Sequence, residues 1–488
     1  MSSLPFANYV CCIVKYREES NYMGESTQGL RREVGLFPAV CTAVGIVVSS
    51  SALFMLGSGF ASGGPAFVIA MIIAAITNLL VAFSFSELAG MLPAAGGVNH
   101  YTLPAMGPTM GIFSVLSGYF MVAGISNAAE SLVCGEVLSI HLIPNGPSTH
   151  FWAFFMVIAL GVLNLGSVKS YATAQTIFAS VMIGSMVILS IIGLTGMTSA
   201  TPVAEYPKFD ISMGGGIIGM LGTAFWLFVG LEFVTPLAEE LKNPNKFIPL
   251  AMISGIIIIF ISDILFGFMA MKYIPLETLQ QSTTPHVDAA MVVLGRAGEI
   301  WIGIISLVAT CSTLNTFVAA IPRMLYGMAN EGEFPKVFGK LNKFGSPWAG
   351  VVLVTIVTMS LIAFFDVDYL EILLLAGCIG WMIAYIIAHL DVIILRYKYP
   401  DAKRAFVVPW GIFLPVISTI SLIVMIWEIS PDPVERMEIF KIAGIGLIIC
   451  AVFSVCWVKF AMKKPLFKPY TLEEVAKSVA AEASAFEG

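Results

Sequence analysis

The chain is 488 residues long, enough for several soluble domains, yet 58% of it is hydrophobic and only 11% charged. Soluble chains carry about 25% charged residues, so this composition excludes a globular cytosolic protein and predicts an integral membrane protein. The formal charge of −6 comes without any basic run, so no nucleic-acid partner is expected, whereas lipid and a small solute are.

Residues 1–37 read as a cytoplasmic N-terminal segment. They lack the charged, apolar and small-residue regions that make up a cleavable signal, and Cys11 and Cys12 read as inert thiols rather than lipidation sites. Beyond them, apolar stretches of roughly 20 residues, the length that crosses ~30 Å of hydrocarbon, recur along the chain. Twelve are expected, near 38–60, 64–91, 106–135, 150–166, 173–197, 213–238, 247–273, 299–327, 348–365, 370–396, 409–429 and 437–460. The fold class is therefore all-α, with twelve transmembrane helices and a cytoplasmic tail at 461–488. In that tail Thr471 and Glu474 have the spacing of a capping box, which starts a short helix.

Span one reads VGIVVSSSALFMLGSG, with Ser49, Ser50 and Ser51 where a membrane helix is ordinarily most apolar. Span three carries Glu130 deep in its length, and Ser126 and Asn127 share its helical face at spacings of four and three. Glu130 reads as a partner for a second positive group on a cationic substrate, as a proton site, or as an outer-vestibule residue that merely touches water. Span six lies in GGGIIGMLGTAFWLFVGLEFVTPLAEELKNPNKFIP, residues 214–249, and sets Gly230 and Glu232 in its middle. A charged acid at mid-helix costs roughly 2.5–3.5 kcal/mol on insertion scales, so something must compensate it. Glu232 reads either as a gating and coupling residue that takes a proton or as a carboxyl held permanently by backbone N–H groups. Asp263 in span seven is a second candidate for coupling, with no partner nearby in sequence.

Interrupted apolar segments in corresponding positions five spans apart point to an inverted-repeat transporter with its site at the midplane. The first repeat then covers 38–197 and the second 198–396, with spans eleven and twelve at 397–460. Placing the N-terminus inside puts twenty of the 25 Lys and Arg residues in the cytoplasm and leaves Lys208, Lys272, Arg296, Arg436 and Lys441 outside. By the positive-inside rule both termini are cytoplasmic, in a plasma membrane or a bacterial inner membrane.

These segments resemble the amino acid, polyamine and organocation permease superfamily, from about Gly45 to Pro409. Span one keeps Gly45 and Gly57 of its glycine-rich segment but has Ser49-Ser50-Ser51 where Gly-Ser-Gly is usual. Gly64-Pro65, Phe85-Ser86-Glu87-Leu88 and Pro93 to Gly97 are similar to its second span and the following loop. Phe228-Val229-Gly230-Leu231-Glu232 and Glu239 to Pro244 resemble its sixth-span signature, and Thr313-Leu314-Asn315, Pro322-Arg323 and Met328 to Pro335 its eighth; Leu395-Arg396 to Pro409 resemble the loop after the tenth.

The resemblance implies a five-plus-five inverted repeat, a leucine-transporter-type fold with broken helices one and six, and transport of an amino acid or related amine by alternating access, with a polyamine or organic-cation transporter of the same fold as the alternative. It implies that N–H groups around Ser50, Ser51 and Ala52 face a substrate carboxylate, while carbonyls near Trp226, Val229 and Gly230 face its ammonium, each helped by a half-helix dipole. Trp226 takes the position of an aromatic that closes over substrate, with core packing as the alternative, and third-span residues such as Ser126 and Glu130 contact it. Asn315, Ser312, Thr313 and Thr316 supply oxygens like those that hold Na⁺ in sodium-coupled relatives, or else simply join helices. Some relatives set a lysine in span five; Ala172 to Met197 has none. No cofactor is expected; transport is expected to be either coupled to H⁺ or Na⁺ or an exchange.

Two other classes fare less well. A channel needs a continuous polar lining or a ring of charge, which scattered single acids do not make. A membrane enzyme needs clustered catalytic groups, whereas the five histidines lie far apart in the chain, four in predicted loops, and read as solvated or interfacial. A disulfide-linked subunit is not expected, because the outer loop Ile140 to His150 has no cysteine.

Overall fold

The computed structural model describes residues 34–92, 97–166, 171–239 and 241–475. Cys11, Cys12, most of the Pro93 to Gly97 motif, Glu240 and the end of the tail lie outside the described residues. Among the described residues the chain is all-helical, with no strand beyond an isolated bridge between Val34 and Leu241. The helices are α1 (Leu36–Val47), α2 (Ser50–Gly63), α3 (Phe67–Met91), α4 (Val98–Met106), α5 (Pro108–Leu142), α6 (Thr149–Asn164) and α7 (Tyr171–Thr195). There follow α8 (Leu221–Trp226), α9 (Pro244–Tyr273), α10 (Leu276–Gln281), α11 (Pro285–Leu294), α12 (Arg296–Asn330), α13 (Trp348–Phe364), α14 (Leu370–Lys398), α15 (Phe413–Trp427) and α16 (Pro433–Met462).

Among the described residues seven helices reach the length and apolarity of a membrane crossing, or eight if the bent segment around α8 counts as one. Shorter apolar helices, α1, α6, α13 and α15 among them, occupy the other predicted spans. α7 shows why the composition is so apolar. Ile177, Val181, Ile188 and Ile191 are exposed along one side, and Met182, Met186 and Leu189 are buried along the other. A helix apolar on both its packed and its outer face belongs in lipid.

The two predicted interruptions are both present. α1 ends at Val47, Val48 (ψ 99°) and Ser49 (φ −132°, ψ 170°) are extended, and α2 begins at Ser50. Ser49 caps the new helix by accepting from Ala52 N–H at 3.2 Å, the role for which serine suits a helix start. The break thus falls at Val48 and Ser49, and Ser50 and Ser51 form the first turn of the second half. In the sixth span α8 stops at Trp226, residues 227–230 form a turn, and a 3₁₀ helix runs from Leu231 to Glu239. Gly230 has φ +102°, a conformation open mainly to glycine. The segment also bends by 61° between Met213–Gly219 and Leu221–Thr235. The interruptions meet in space: a Cβ on Gly230 would lie 3.4 Å from Ile46 of α1, and α1 packs along the 3₁₀ segment and α9.

Elsewhere polar groups fasten the helices. Glu87 on α3 is buried and takes a forked ion pair from Arg396, a second from Arg404 at 3.1 Å, and the Val408 N–H at 2.7 Å. These bonds fasten α3 to α14 and the segment that follows it. The capping box in the tail is formed: Thr471 N–H donates to Glu474 Oε2 at 2.7 Å, and Glu474 N–H to Thr471 Oγ1 at 3.2 Å. The tail is more than a solvated end, because Tyr470 N–H donates to Leu103 O at 3.1 Å and Thr109 N–H to Leu466 O at 3.3 Å. The cysteines among the described residues are free thiols.

Candidate functional site

At the first break α2 turns its N-terminus toward α5 and α12. Ser51 N–H donates to Glu130 Oε1 at 3.0 Å, and the Thr310 hydroxyl reaches Glu130 Oε2 at 3.2 Å and Ser50 Oγ at 2.8 Å. The hydroxyls of Ser49 and Ser51, 3.1 Å apart, turn onto the same carboxyl. Ser50 Oγ lies 2.7 Å from Ser306 Oγ, which lies 2.9 Å from His286 Nε2. A continuous chain of hydrogen bonds therefore runs from Glu130 through Thr310, Ser50 and Ser306 to His286 on α11.

Glu130 is fully buried, so it is not a vestibule residue touching water. Serines at the break make sense here, since hydroxyls supply a carboxylate with donors that glycines lack. On the same face of α5, Ser126 is buried, and Asn127 is buried with neither atom of its side-chain amide hydrogen-bonded. Leaving such a group unpaired costs about 1–3 kcal/mol, which singles out Asn127 as a group that a ligand would satisfy.

The sixth break is stitched to α14. Tyr385 accepts from Gly230 N–H at 3.2 Å and donates to Glu232 Oε2 at 2.6 Å, while Trp381 Nε1 donates to Glu232 Oε1 at 2.9 Å. These side chains compensate the buried acid, together with backbone groups of Gly230 and Glu232. Trp226 and Val229 are buried; Trp226 packs edge-on against Trp381, ring centres 6.0 Å apart, and Trp381 in turn touches Phe233 and Phe317.

The other expected residues disperse. Asn315 faces span four, where its Oδ1 accepts from Asn164 Nδ2 at 2.9 Å; five residues past Thr310 it stands about 140° around α12 from the break. Ser312 donates to Gln175 on α7 at 2.8 Å, and the Thr313 hydroxyl is buried without a partner. Asp263 is buried on α9 and makes no hydrogen bond or ion pair among the described residues, so no bond ties it to either break. The histidines need correction. His100, His141, His286 and His389 are buried rather than solvated, bonded to Glu331, Glu299, Ser306 and Ser84 respectively. Their surroundings are formed by residues far away in the chain, which local sequence does not show.

Sequence reading missed Thr310, Ser306, His286, Trp381 and Tyr385. Ser306 and Thr310, four apart, share one face of α12 and were visible by spacing alone; the aromatic pair on α14, also four apart, carried no signal that distinguishes it from core.

Comparison with known proteins agrees with this architecture. The profile of the family described as amino acid permease matches residues 34–459. The methylthioribose transporter of Bacillus subtilis is 25% identical over 449 residues, covering 88% of this chain and 94% of that protein. A branched-chain amino acid permease of Bacillus subtilis is 24% identical, with the same coverage, 88% and 94%. A vacuolar cationic amino acid transporter of Arabidopsis thaliana is 24% identical over 81% of this chain and 65% of its own length. Helices that lipid alone would accommodate, two interruptions that meet, and a profile match across nearly the whole chain place this transmembrane protein in the amino acid permease family, within the amino acid, polyamine and organocation superfamily.

Proposed function

We propose that this protein is a secondary active transporter that moves an amino acid or related amine by alternating access, with the ligand held between the two helix breaks. The observation that carries the reading is the meeting of the breaks, Gly230 against Ile46 beside Val48 and Ser49. Each break has a buried carboxylate at its edge, Glu130 or Glu232. Broken helices place free backbone groups and dipole ends where a solute can use them. In this reading twelve crossings form a five-plus-five inverted repeat with two added helices, both termini are cytoplasmic, and one bundle rocks against a scaffold. Ser126, Glu130, Asn127, Val229 and Gly230 line the ligand, Trp226 helps occlude it, and Glu232 holds the sixth break.

The names of the relatives span branched-chain and cationic amino acids and methylthioribose, so the choice among ligands falls to the residues of the site. A gradient of H⁺ or Na⁺ drives transport. The buried acids Glu130, Glu232 and Asp263 are the groups for a proton; Thr313 and the first-break carbonyls are those for Na⁺. Counterflow in proteoliposomes tests the reading, using a panel of amino acids and amines under a pH gradient, a Na⁺ gradient or neither. Saturable exchange is expected, with accumulation under one of the two gradients. Flux that never saturates would instead indicate a channel, and no flux of any compound rejects the transporter.

A further inference from the structure

The N-terminus of α2 is where a permease of this design would receive a substrate carboxylate, and here the chain fills that place itself. Ser51 N–H is spent on Glu130 and Ala52 N–H on Ser49 Oγ. Glu130 is buried, and among the described residues no Lys, Arg or His forms an ion pair with it. Its partners are one N–H and neutral hydroxyls from α2 and α12. A second, independent feature stands one turn away on the same face of α5. The Asn127 amide is buried, and neither its donor nor its acceptor is used.

These groups discriminate by charge. A ligand carboxylate at Ser51 would meet a buried carboxylate of like sign and find the Ser51 and Ala52 N–H groups taken. An ammonium would meet an unpaired opposite charge in a dry site and the free Asn127 Oδ1 as a second acceptor.

We propose that Glu130 is the resident anion of the first break and that the site takes an organic amine which presents its ammonium to Glu130 and Asn127 and carries no carboxylate there. The inference rests on the transporter reading and narrows its substrate class to decarboxylated amines.

The test is binding to the purified full-length protein, by thermal shift and by competition, of matched pairs: agmatine and arginine, cadaverine and lysine, tyramine and tyrosine, isobutylamine and valine. At least one amine is expected to bind at least about tenfold tighter than its parent amino acid. Glu130→Gln keeps an acceptor for Ser51 N–H but removes the charge, and is expected to lose amine affinity by about tenfold or more. Glu130→Ala frees the Ser51 N–H and shifts preference toward the parent acid. If each amino acid binds the wild type as tightly as its amine or more so, the proposal is overturned while the transporter reading stands. If no compound binds and none is exchanged, both fall.

Discussion

At the first break a carboxylate arrives from a neighbouring helix and sits on the N–H of Ser51; at the sixth, the carboxylate belongs to the broken segment and reaches out to Trp381 and Tyr385. The donors around Glu130 are mostly serine and threonine hydroxyls, which rotate and exchange partners cheaply. Those around Glu232 are an indole and a phenol locked in an aromatic cluster with Trp226, Phe233 and Phe317. The difference separates two tasks. In the proposed transporter the sixth break is held by rigid groups, and the first by adaptable groups that a ligand would rearrange. Glu87 marks a third arrangement, a buried carboxylate answered by two arginines, Arg396 and Arg404. Glu87 is thus fastened by permanent counter-charges, whereas Glu130 and Glu232 are held by neutral donors alone.

The comparison is broken most directly at Glu232. Glu232→Gln sets an amide donor against Trp381 N–H or Tyr385 O–H and leaves at least one buried group unsatisfied, at about 1–3 kcal/mol. Counterflow is expected to fall about tenfold or more, with a lowered melting temperature; wild-type values for both would show that the sixth break is not held as described. Gly230→Ala comes next. Its added Cβ finds ordinary room, 3.4 Å from Ile46 and 3.6 Å from Trp381, so the cost is the backbone at φ +102°, about 1–3 kcal/mol. A several-fold loss of exchange with a lower melting temperature is expected, and unchanged stability argues that the turn is not strained by a side chain.

Ser49→Ala tests the adaptable side. It removes the cap of α2, worth about 1 kcal/mol, and one hydroxyl near Glu130, so exchange should fall only a few-fold with affinity changed more than stability. An effect as large as that of Glu232→Gln would erase the contrast between the breaks. The smallest effect lies at neither break. Burial, with the charge of Glu331 beside it, pushes Glu333 from the ordinary 4.5 up to about 8, against hydrogen bonding by Asn99 and the charges of His100 and Lys464. Because the folded value is the higher one, its stabilising contribution is complete below about 4.5 and is lost as pH rises through about 8. Melting temperature should therefore decline between about pH 4.5 and 8 and level off above that, and Glu333→Gln should flatten that decline; a decline that persists unchanged in this variant would assign it to other groups.

Much of this was legible in one dimension. Apolar runs located the helices, because a chain in lipid must bury its backbone polar groups within each helix. Hydroxyls in span one and a glycine next to an acid in span six located the interruptions, because neither is tolerated in a continuous span without a reason. Glu130 and Asn127 were visible as one polar face. What escaped was partnership. Glu130 meets Thr310 across 180 positions and Glu232 meets Tyr385 across 153, and no local pattern announces such pairs. Asn315 looked equivalent to its neighbours Ser312 and Thr313, yet the turn of α12 directs it to Asn164.

The sequence by itself determined that this is a helical membrane protein with two flawed spans, since hydropathy, glycine and buried acids act on the residues that carry them. Only the tertiary structure decided what occupies the flaws. Whether Ser51 N–H is free or already holds a carboxylate depends on how α5 packs against α2, and that packing, which no local pattern encodes, sets Glu130 on it.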